Sequence, residues 1–170
     1  MGWERFIPTH IYYSTMTEKS LSYELLPASL GDLSQLGVLE RCCFPLDAWP
    51  LIEQIAALTF PGTVRIKAVC AGRMVGFIGG DLRRYHHTGW VTTLAVLPEY
   101  RRQGIGEALL HACEQALKMP LVKLSVRRTN LEAQLLYIKN GYHKVATWRK
   151  YYEGGEDAIV MEKEMPEFKL

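Results

Sequence analysis

Apolar and polar positions along the chain switch repeatedly between the spacing of strands and that of helices. Residues 64–70 and 74–85 are rich in β-forming side chains and flank a short Ala-Gly-Arg turn, so they predict an antiparallel hairpin. Residues 90–96 predict a third strand. Residues 104–119 carry a wide apolar stripe at helical spacing, and residues 121–126 return to strand composition.

The segment before this hairpin predicts a strand and two helices. Residues 22–26 read as a short strand that ends at Pro27, and a helix follows from Asp32 with apolar residues at helical spacing through to Glu40. Two prolines interrupt the next stretch, and residues 51–58 predict a second short helix. The loop between these helices is aromatic and is predicted to be exposed.

The C-terminal part predicts one more helix and a closing hairpin. Asn130 can cap a helix that continues to Asn140, and Gly141 suits the left-handed position that ends such a helix. Residues 142–152 and 157–164 flank Glu-Gly-Gly, which is typical of a hairpin turn.

Together these elements predict a mixed α/β domain. The strand–helix–strand unit of residues 90–126 requires a right-handed parallel crossover and is where a ligand is expected. We expect residues 1–20 to be a peripheral leader and residues 21–170 to form a single domain.

Composition narrows the class of protein without naming a ligand. The chain has 170 residues, of which 48% are apolar and 22% charged, and this suits one folded domain. Its net charge of +2 does not favour a nucleic-acid or membrane partner, and no apolar run reaches the roughly 18 residues of a membrane span. The cysteines lack Cys-x-x-Cys spacing, so we expect free thiols, no metal site and a cytoplasmic location; they are Cys42, Cys43, Cys70 and Cys113.

The richest motif follows the third strand of this central region. A strand ending at Val96 leads through Arg101 and Arg102 into a helix opened by Gly104 and Gly106. Glycine lets an anion approach the backbone, the helix N-terminus attracts negative charge, and the arginines can add charge-assisted hydrogen bonds. A phosphate group is therefore the expected ligand, although dinucleotide-binding and triphosphate-loop signatures are both absent.

The run Arg-Arg-Gln-Gly-Ile-Gly at residues 101–106 resembles the Gln/Arg-x-x-Gly-x-Gly/Ala signature of the GNAT superfamily of acetyl-CoA-dependent N-acetyltransferases. Asn130, the Leu-Leu-Tyr ending at Tyr137, and Gly141-Tyr142 match the later helix of that superfamily. Within it, the chain is most similar to the RimI-like ribosomal-protein-alanine N-acetyltransferases, over residues 22–165.

This resemblance implies a GNAT fold, in which a mostly antiparallel twisted sheet with one parallel strand pair is flanked by about four helices. It implies acetyl-CoA as co-substrate and Tyr137 as the catalytic residue facing the sulfur. Phe44, Trp49 and Tyr151 are expected to contact the acceptor. The expected acetyl-CoA-binding residues are Leu94, Ala95, Val96, Arg101, Arg102, Gln103, Gly104, Ile105, Gly106, Glu107 and Asn130.

The chain departs from the RimI-like pattern at Ser125, where relatives carry Glu or His. Serine is no base at neutral pH, so either Ser125 positions a water or the base is elsewhere; Asp47, Asp81, His86 and His87 stay open as candidates. Deprotonation at pH 7 costs about 1 kcal/mol for an α-amine and about 4.6 kcal/mol for lysine. A weak base therefore favours an α-amine.

The leading hypothesis is an N-acetyltransferase acting on a protein or peptide N-terminal α-amine. One alternative keeps the chemistry but takes a small amine such as a polyamine, an amino acid or an aminoglycoside. The other, suggested by Ser125, is a non-catalytic acyl-CoA sensor. No nucleic acid is expected as a partner, and the oligomeric state is left open.

Overall fold

The computed structural model describes residues 22–168, and the expected leader of residues 1–20 lies outside this range. The described residues form seven strands and four α-helices. The strands are β1 (Glu24–Pro27), β2 (Thr63–Cys70), β3 (Arg73–Arg83), β4 (Thr88–Val96), β5 (Leu121–Arg127), β6 (His143–Tyr152) and β7 (Glu156–Glu164). The helices are α1 (Leu33–Cys43), α2 (Leu51–Thr59), α3 (Ile105–Leu117) and α4 (Leu131–Lys139).

The strands make one sheet in the order β1-β2-β3-β4-β5-β7-β6. The pair β4–β5 is parallel and the other neighbours are antiparallel. This confirms the predicted mixed sheet with one parallel pair and four flanking helices. The sequence did not predict that β7 lies between β5 and β6, which places the turn of the last hairpin near the end of β5.

Several element boundaries differ from the expected ones. β1 includes Pro27, which is tolerated because β1 is an edge strand. β3 ends at Arg83 and not at Tyr85, since a short 3₁₀ turn follows it and ends at His87 with a positive φ of 47°. α3 ends at Leu117, because Lys118 adopts the left-handed conformation that terminates a helix.

One face of the sheet is covered by α3. Its apolar stripe, including Leu109, Cys113 and Leu117, is at most 1% exposed and packs against β2, β3 and β4. The helix comes so close that a Cβ at Gly89 of β4 would lie 2.9 Å from Leu117 Cδ1. A buried carboxylate, Glu114, also lies on α3, where it accepts hydrogen bonds from Tyr142 Oη and Lys163 Nζ, both at 2.9 Å.

The opposite face is covered by α1 and α2. Leu36 and Leu39 of α1 are at most 1% exposed and pack in a second apolar cluster with Phe77 and Ala95 of the sheet. The α1–α2 connection crosses this face above β4 and β5, so it can form one wall of a site between those strands.

A bulge in β4 opens the sheet. Gly80 pairs with Val91 and Gly79 with Thr93, so Thr92 is the extra residue. The parallel register of β4 with β5 runs from Thr88 to Val91, whereas β4 continues to Val96. β4 and β5 therefore separate after Val91, and a cleft forms between them.

Candidate active site

Three connected openings follow the separation of β4 from β5. The first, the glycine-loop cleft, runs between the end of β4, the start of α3 and the face of α4, with a volume of about 370 Å³. The second, the central cavity, lies between β4, β5 and the α1–α2 connection and has a volume of about 150 Å³. The third, the aromatic cavity, lies between α2, β3, β4 and the end of β6.

These openings share lining residues and therefore adjoin one another, and together they are called the passage. The glycine-loop cleft and the central cavity share Phe44, Leu94, Asn130, Ala133 and Tyr137. The central cavity and the aromatic cavity share Trp49, Thr92 and Ser125. A reaction between two bound molecules would take place in the central cavity, which both of the other openings reach.

Most of the expected acetyl-CoA-binding residues line the glycine-loop cleft. They are Leu94, Ala95, Val96, Arg101, Arg102, Gly104, Gly106, Glu107 and Asn130. Two lie elsewhere: the exposed side chain of Gln103 donates to the Glu99 carbonyl at 3.3 Å, and Ile105 is 1% exposed in the core under the sheet. The side chain of Ile105 belongs to the apolar face of α3 that packs on the sheet, and its contact with acetyl-CoA stays a prediction.

The backbone of the glycine loop is shaped for an anion. Arg102 and Gly104 have φ values of 57° and 79°, and no atom lies within 4 Å of the position that a Cβ on Gly104 would take. The first turn of α3 has no side-chain cap, so its N–H groups remain available at the cleft. Arg101 is held by a hydrogen bond from Nε to the Val96 carbonyl at 3.0 Å. The residues present fit a pyrophosphate.

Tyr137 stands between the glycine-loop cleft and the central cavity. It is 6% exposed, and α4 carries it from the Asn130 cap, whose side chain accepts from Ala133 N at 3.1 Å. Its ring packs edge-on against Tyr142, with centroids 5.8 Å apart. Burial raises the pKa of the Tyr137 phenol well above its usual range, so the group is an O–H donor at neutral pH.

Aromatic side chains form much of the wall on the far side. Trp49 faces the central and aromatic cavities, Phe44 the central cavity and the glycine-loop cleft, and Tyr151 the aromatic cavity. Trp148 joins them, because it stacks on Trp90 at 5.6 Å and contacts the Tyr151 ring at 5.1 Å. The expected acceptor residues therefore lie along one passage, although they do not form a single cluster.

An ion-pair network holds the α1–α2 connection against the last hairpin. The Arg127 guanidinium, at the end of β5, contacts Asp47 Oδ2 and Glu156 Oε2 at 2.5 Å each. Glu156 also accepts from Thr129 N at 2.8 Å and Thr129 Oγ1 at 2.7 Å. The Thr129 hydrogen bonds and Arg127 lower the pKa of Glu156 to about 2, so it is ionised at neutral pH.

The four candidate bases occupy different places. Asp47 lines the central cavity but is paired with Arg127. Asp81 lines the aromatic cavity, where burial raises the pKa of its carboxyl. His86 and His87 are exposed in the turn after β3. Ser125 lies between the two cavities and accepts a hydrogen bond from Tyr152 Oη at 3.4 Å.

The structure adds a carboxylate that sequence reasoning did not single out as a site residue. Glu40 of α1 is 0% exposed to solvent and lines the central cavity. Burial raises the pKa of this carboxyl to about 7. Its helical spacing with Leu33 and Leu36 was the available signal, because it puts a charge on the apolar face of the helix.

The described residues hold neither a cluster of metal ligands nor a membrane-spanning helix. Between residues 22 and 168, no group of three or more His, Cys, Asp or Glu side chains could hold a metal ion. Over the same residues, no helix has the length and apolarity needed to cross a membrane.

Comparison with known proteins identifies the family. The model of the acetyltransferase (GNAT) domain matches residues 64–144. An N-alpha-acetyltransferase of Sulfurisphaera tokodaii is 33% identical over 158 residues, which cover 85% of this chain and 94% of that protein. The N-alpha-acetyltransferase RimI of Mycobacterium tuberculosis is 31% identical over 123 residues, which cover 69% of this chain and 77% of that protein.

Solved structures show the same fold. The ribosomal-protein-S18-alanine N-acetyltransferase of Escherichia coli superposes with a TM-score of 0.76 at 24% identity, covering 84% of this chain and 94% of that one. Arabidopsis thaliana Naa50, in complex with the bisubstrate analogue CoA-Ac-MVNAL, superposes with a TM-score of 0.71 at 28% identity. The match covers 85% of this chain and 99% of that one. The chain belongs to the GNAT acetyltransferase family and is an N-acetyltransferase. The resemblance to RimI-like enzymes is confirmed as well.

Proposed function

We propose that this enzyme transfers the acetyl group of acetyl-CoA to the N-terminal α-amine of a peptide or protein. The observation that carries the proposal is this row of adjoining openings, in which Tyr137 borders the glycine-loop cleft and Ser125 borders the aromatic cavity. Relatives named N-alpha-acetyltransferase support the acceptor class, and the analogue bound to Naa50 joins coenzyme A to a peptide in that protein.

In this proposal the glycine-loop cleft holds the coenzyme. The N–H groups at the start of α3, with Arg101 and Arg102, bind the pyrophosphate. The end of β4, from Leu94 to Val96, lies free of β5 and offers backbone groups to the pantetheine arm. The thioester then reaches the central cavity beside Tyr137.

The acceptor enters through the aromatic cavity. Trp49 and Tyr151 form its walls, and the Arg127 network fixes the α1–α2 connection beside it. The amine nitrogen attacks the thioester carbonyl, and the carbon–sulfur bond breaks. Tyr137 donates a hydrogen bond to the departing thiolate; the full transfer of its proton comes late, since its phenol is a far weaker acid than a thiol.

A panel of matched acceptors tests the proposal. Peptides with a free N-terminus and no lysine are compared with N-acetylated peptides that contain one internal lysine, and with polyamines, amino acids and aminoglycosides. Release of the free thiol gives the rate, and mass spectrometry locates the acetyl group. We expect the free N-termini to react fastest.

Each other result assigns a different function. Faster acetylation of lysine or of a small amine would replace the proposed acceptor. Coenzyme binding without turnover on any amine would support an acyl-CoA sensor and overturn the enzymatic proposal.

We also propose that the protein works in the reducing cytoplasm. All four cysteines lie in the described part of the chain as free thiols, and Cys70 and Cys113 are buried.

A further inference from the structure

Glu40 is a buried carboxylate that has no cationic partner in the described part of the chain. Among residues 22–168, the other buried acidic side chains, Asp32 and Glu114, are paired with Lys67 at 2.6 Å and Lys163 at 2.9 Å. The hydrogen-bond donors that Glu40 has within residues 22–168 are neutral: Trp49 N lies 3.3 Å from Oε2, and Thr93 Oγ1 lies 3.4 Å from Oε1. Burying a carboxylate without a cationic partner lowers the free energy of unfolding, so the presence of Glu40 at this position calls for an explanation other than stability.

The place of Glu40 supplies that explanation. It belongs to the wall of the central cavity, together with Tyr137 and Ser125. Thr93 lines the same cavity and is less buried than Glu40, and its hydroxyl donates a hydrogen bond to Glu40 Oε1 at 3.4 Å. Hydroxyl groups donate and accept hydrogen bonds at once, which allows a proton to be passed along.

We propose that Glu40, acting through the Thr93 hydroxyl, accepts the proton that the acceptor ammonium must lose before it attacks the thioester. This inference rests on the proposed acetylation of an amine in the central cavity. The ammonium gives a proton to Thr93 Oγ1 while the Thr93 hydroxyl proton passes to Glu40 Oε1. The products are a neutral amine, an unchanged Thr93 and a protonated Glu40, which returns its proton to water after product release.

The other acidic groups near the cavity are less suited to this task. Both oxygens of Asp47 are already engaged, because Oδ2 accepts from the Arg127 guanidinium and Oδ1 accepts from Glu153 N at 3.2 Å. Asp81 lines the aromatic cavity and not the central one. Ser125 accepts a hydrogen bond from Tyr152, and its own hydroxyl is no base.

The surroundings of Glu40 set its proton affinity near that of the substrate. Desolvation raises the pKa of Glu40 to about 7, and the negative charge of Glu53 on α2 acts in the same direction, while the bonds from Trp49 and Thr93 oppose them. On α1 itself, the Cys43 thiol interacts electrostatically with Glu40. Tyr137, Tyr152, and the pair of Asp47 with Arg127 border the same cavity from α4, β6, the α1–α2 connection and β5.

A Glu40 pKa near 7 predicts a preference for α-amines over lysine side chains. Proton transfer to a group of pKa about 7 is unfavourable by roughly 6-fold from an α-ammonium of pKa near 7.8. From a lysine ammonium of pKa near 10.4 it is unfavourable by roughly 2,500-fold. The same base would thus serve an N-terminus far better than a lysine side chain.

Glu40→Gln is the central test, because glutamine keeps the size of the side chain and an oxygen that can accept from Trp49. With the amine that the wild type acetylates best, we expect kcat to fall about 100-fold or more at pH 6.5. The defect should shrink by pH 9.5, where the amine is neutral in solution. Glu24→Gln, at an exposed position on β1, is the matched control and should keep wild-type kcat.

Thr93 provides a second pair of variants. Thr93→Val removes the hydroxyl at nearly constant volume and should lower kcat at pH 6.5, with recovery at high pH. Thr93→Ser keeps the hydroxyl and should retain most of the activity. Equal rates for the two variants would argue against the relay.

A purely structural role of Glu40 predicts a different dependence of kcat on pH, or losses of acetyl-CoA affinity and Tm. A loss of kcat in Glu40→Gln that is the same at every pH, or one that follows a loss of acetyl-CoA affinity or of Tm, would overturn the proposal. So would kcat within about threefold of wild type at pH 6.5.

One measurement separates this inference from the proposed function, because it needs no acceptor. Isotope-edited infrared spectroscopy of the acetyl-CoA-bound protein follows the protonated carboxyl band that Glu40→Gln lacks. Titration of that band near neutrality supports Glu40 even if every peptide fails as a substrate. Titration below pH 5 would overturn it even if N-termini are acetylated.

Discussion

We predict different roles for two tyrosines in contact, Tyr137 in the reaction and Tyr142 in stability. One substitution in each distinguishes these roles. Tyr137 borders the cavities, whereas Tyr142 is buried and donates its Oη hydrogen bond to Glu114 at 2.9 Å. We predict that Tyr137→Phe lowers kcat by about 100-fold, because the departing thiolate loses a proton donor, and leaves the Kd of acetyl-CoA nearly unchanged. Steady-state kinetics and calorimetric titration measure the two quantities.

Tyr142→Phe is the matched control for that experiment. It removes a hydrogen bond to a buried carboxylate, so we predict a loss of about 1.5–3 kcal/mol in the free energy of unfolding with kcat retained. Denaturant unfolding measures this loss. The assignment of Tyr137 fails if its phenylalanine variant turns over like the wild type.

At the level of elements, the start of α3 is the feature to test. Gly104 has a φ of 79° with open space above it. We predict that Gly104→Ala costs about 1–2 kcal/mol of stability from backbone strain and weakens acetyl-CoA binding by roughly tenfold, because the loop shifts and the new methyl group enters the cleft. The Kd of acetyl-CoA and the unfolding free energy are the readouts.

Gly72, in the β2–β3 turn, has a similar φ of 76° and equally open surroundings. Gly72→Ala should therefore cost similar stability without changing the Kd. If both variants bind acetyl-CoA like the wild type, the glycine loop does not hold the pyrophosphate.

Across the whole molecule, the Arg127 network joins segments that are distant in sequence. Its member Glu156 has a pKa of about 2 in the folded protein against an ordinary value of 4.5. A carboxyl with a lowered pKa contributes stability that is fully present above about pH 4.5 and is lost as the pH falls towards 2. We predict that Glu156→Gln lowers Tm at pH 7 and makes Tm less dependent on pH between about 5 and 2.

Thermal unfolding followed by circular dichroism over that pH range checks the prediction. Glu24→Gln, at the exposed start of β1, should show the wild-type pH dependence of Tm. An unchanged Tm profile in Glu156→Gln would mean that the network adds no stability.

The order of elements and the glycine loop could be predicted because their signals are local. Three features depend on residues that are close together in sequence. They are the apolar stripe of α3, the hairpin turn after β2 and the left-handed conformation of Gly104. Ile105 belongs to that apolar stripe, and its 1% exposure agrees with the local signal, while its contact with acetyl-CoA stays a prediction.

Glu40 shows where prediction from local sequence ends. In sequence it is one charged residue in a helix, and its burial depends on which segments cover that helix. Its hydrogen bond with Thr93 joins residues more than 50 positions apart in the chain. The absence of a cationic partner among the described residues also depends on which distant segments pack against α1.

The sequence by itself therefore determined the mixed α/β class, the glycine turn that opens α3 and the family, since these depend on local propensity and on motif spacing. Only the tertiary structure decided where β4 and β5 separate, which residues share the central cavity and how Glu40 is desolvated. The physical reason is that burial and long-range contacts set cavity shape and proton affinity, and neither is a property of neighbouring residues in the chain.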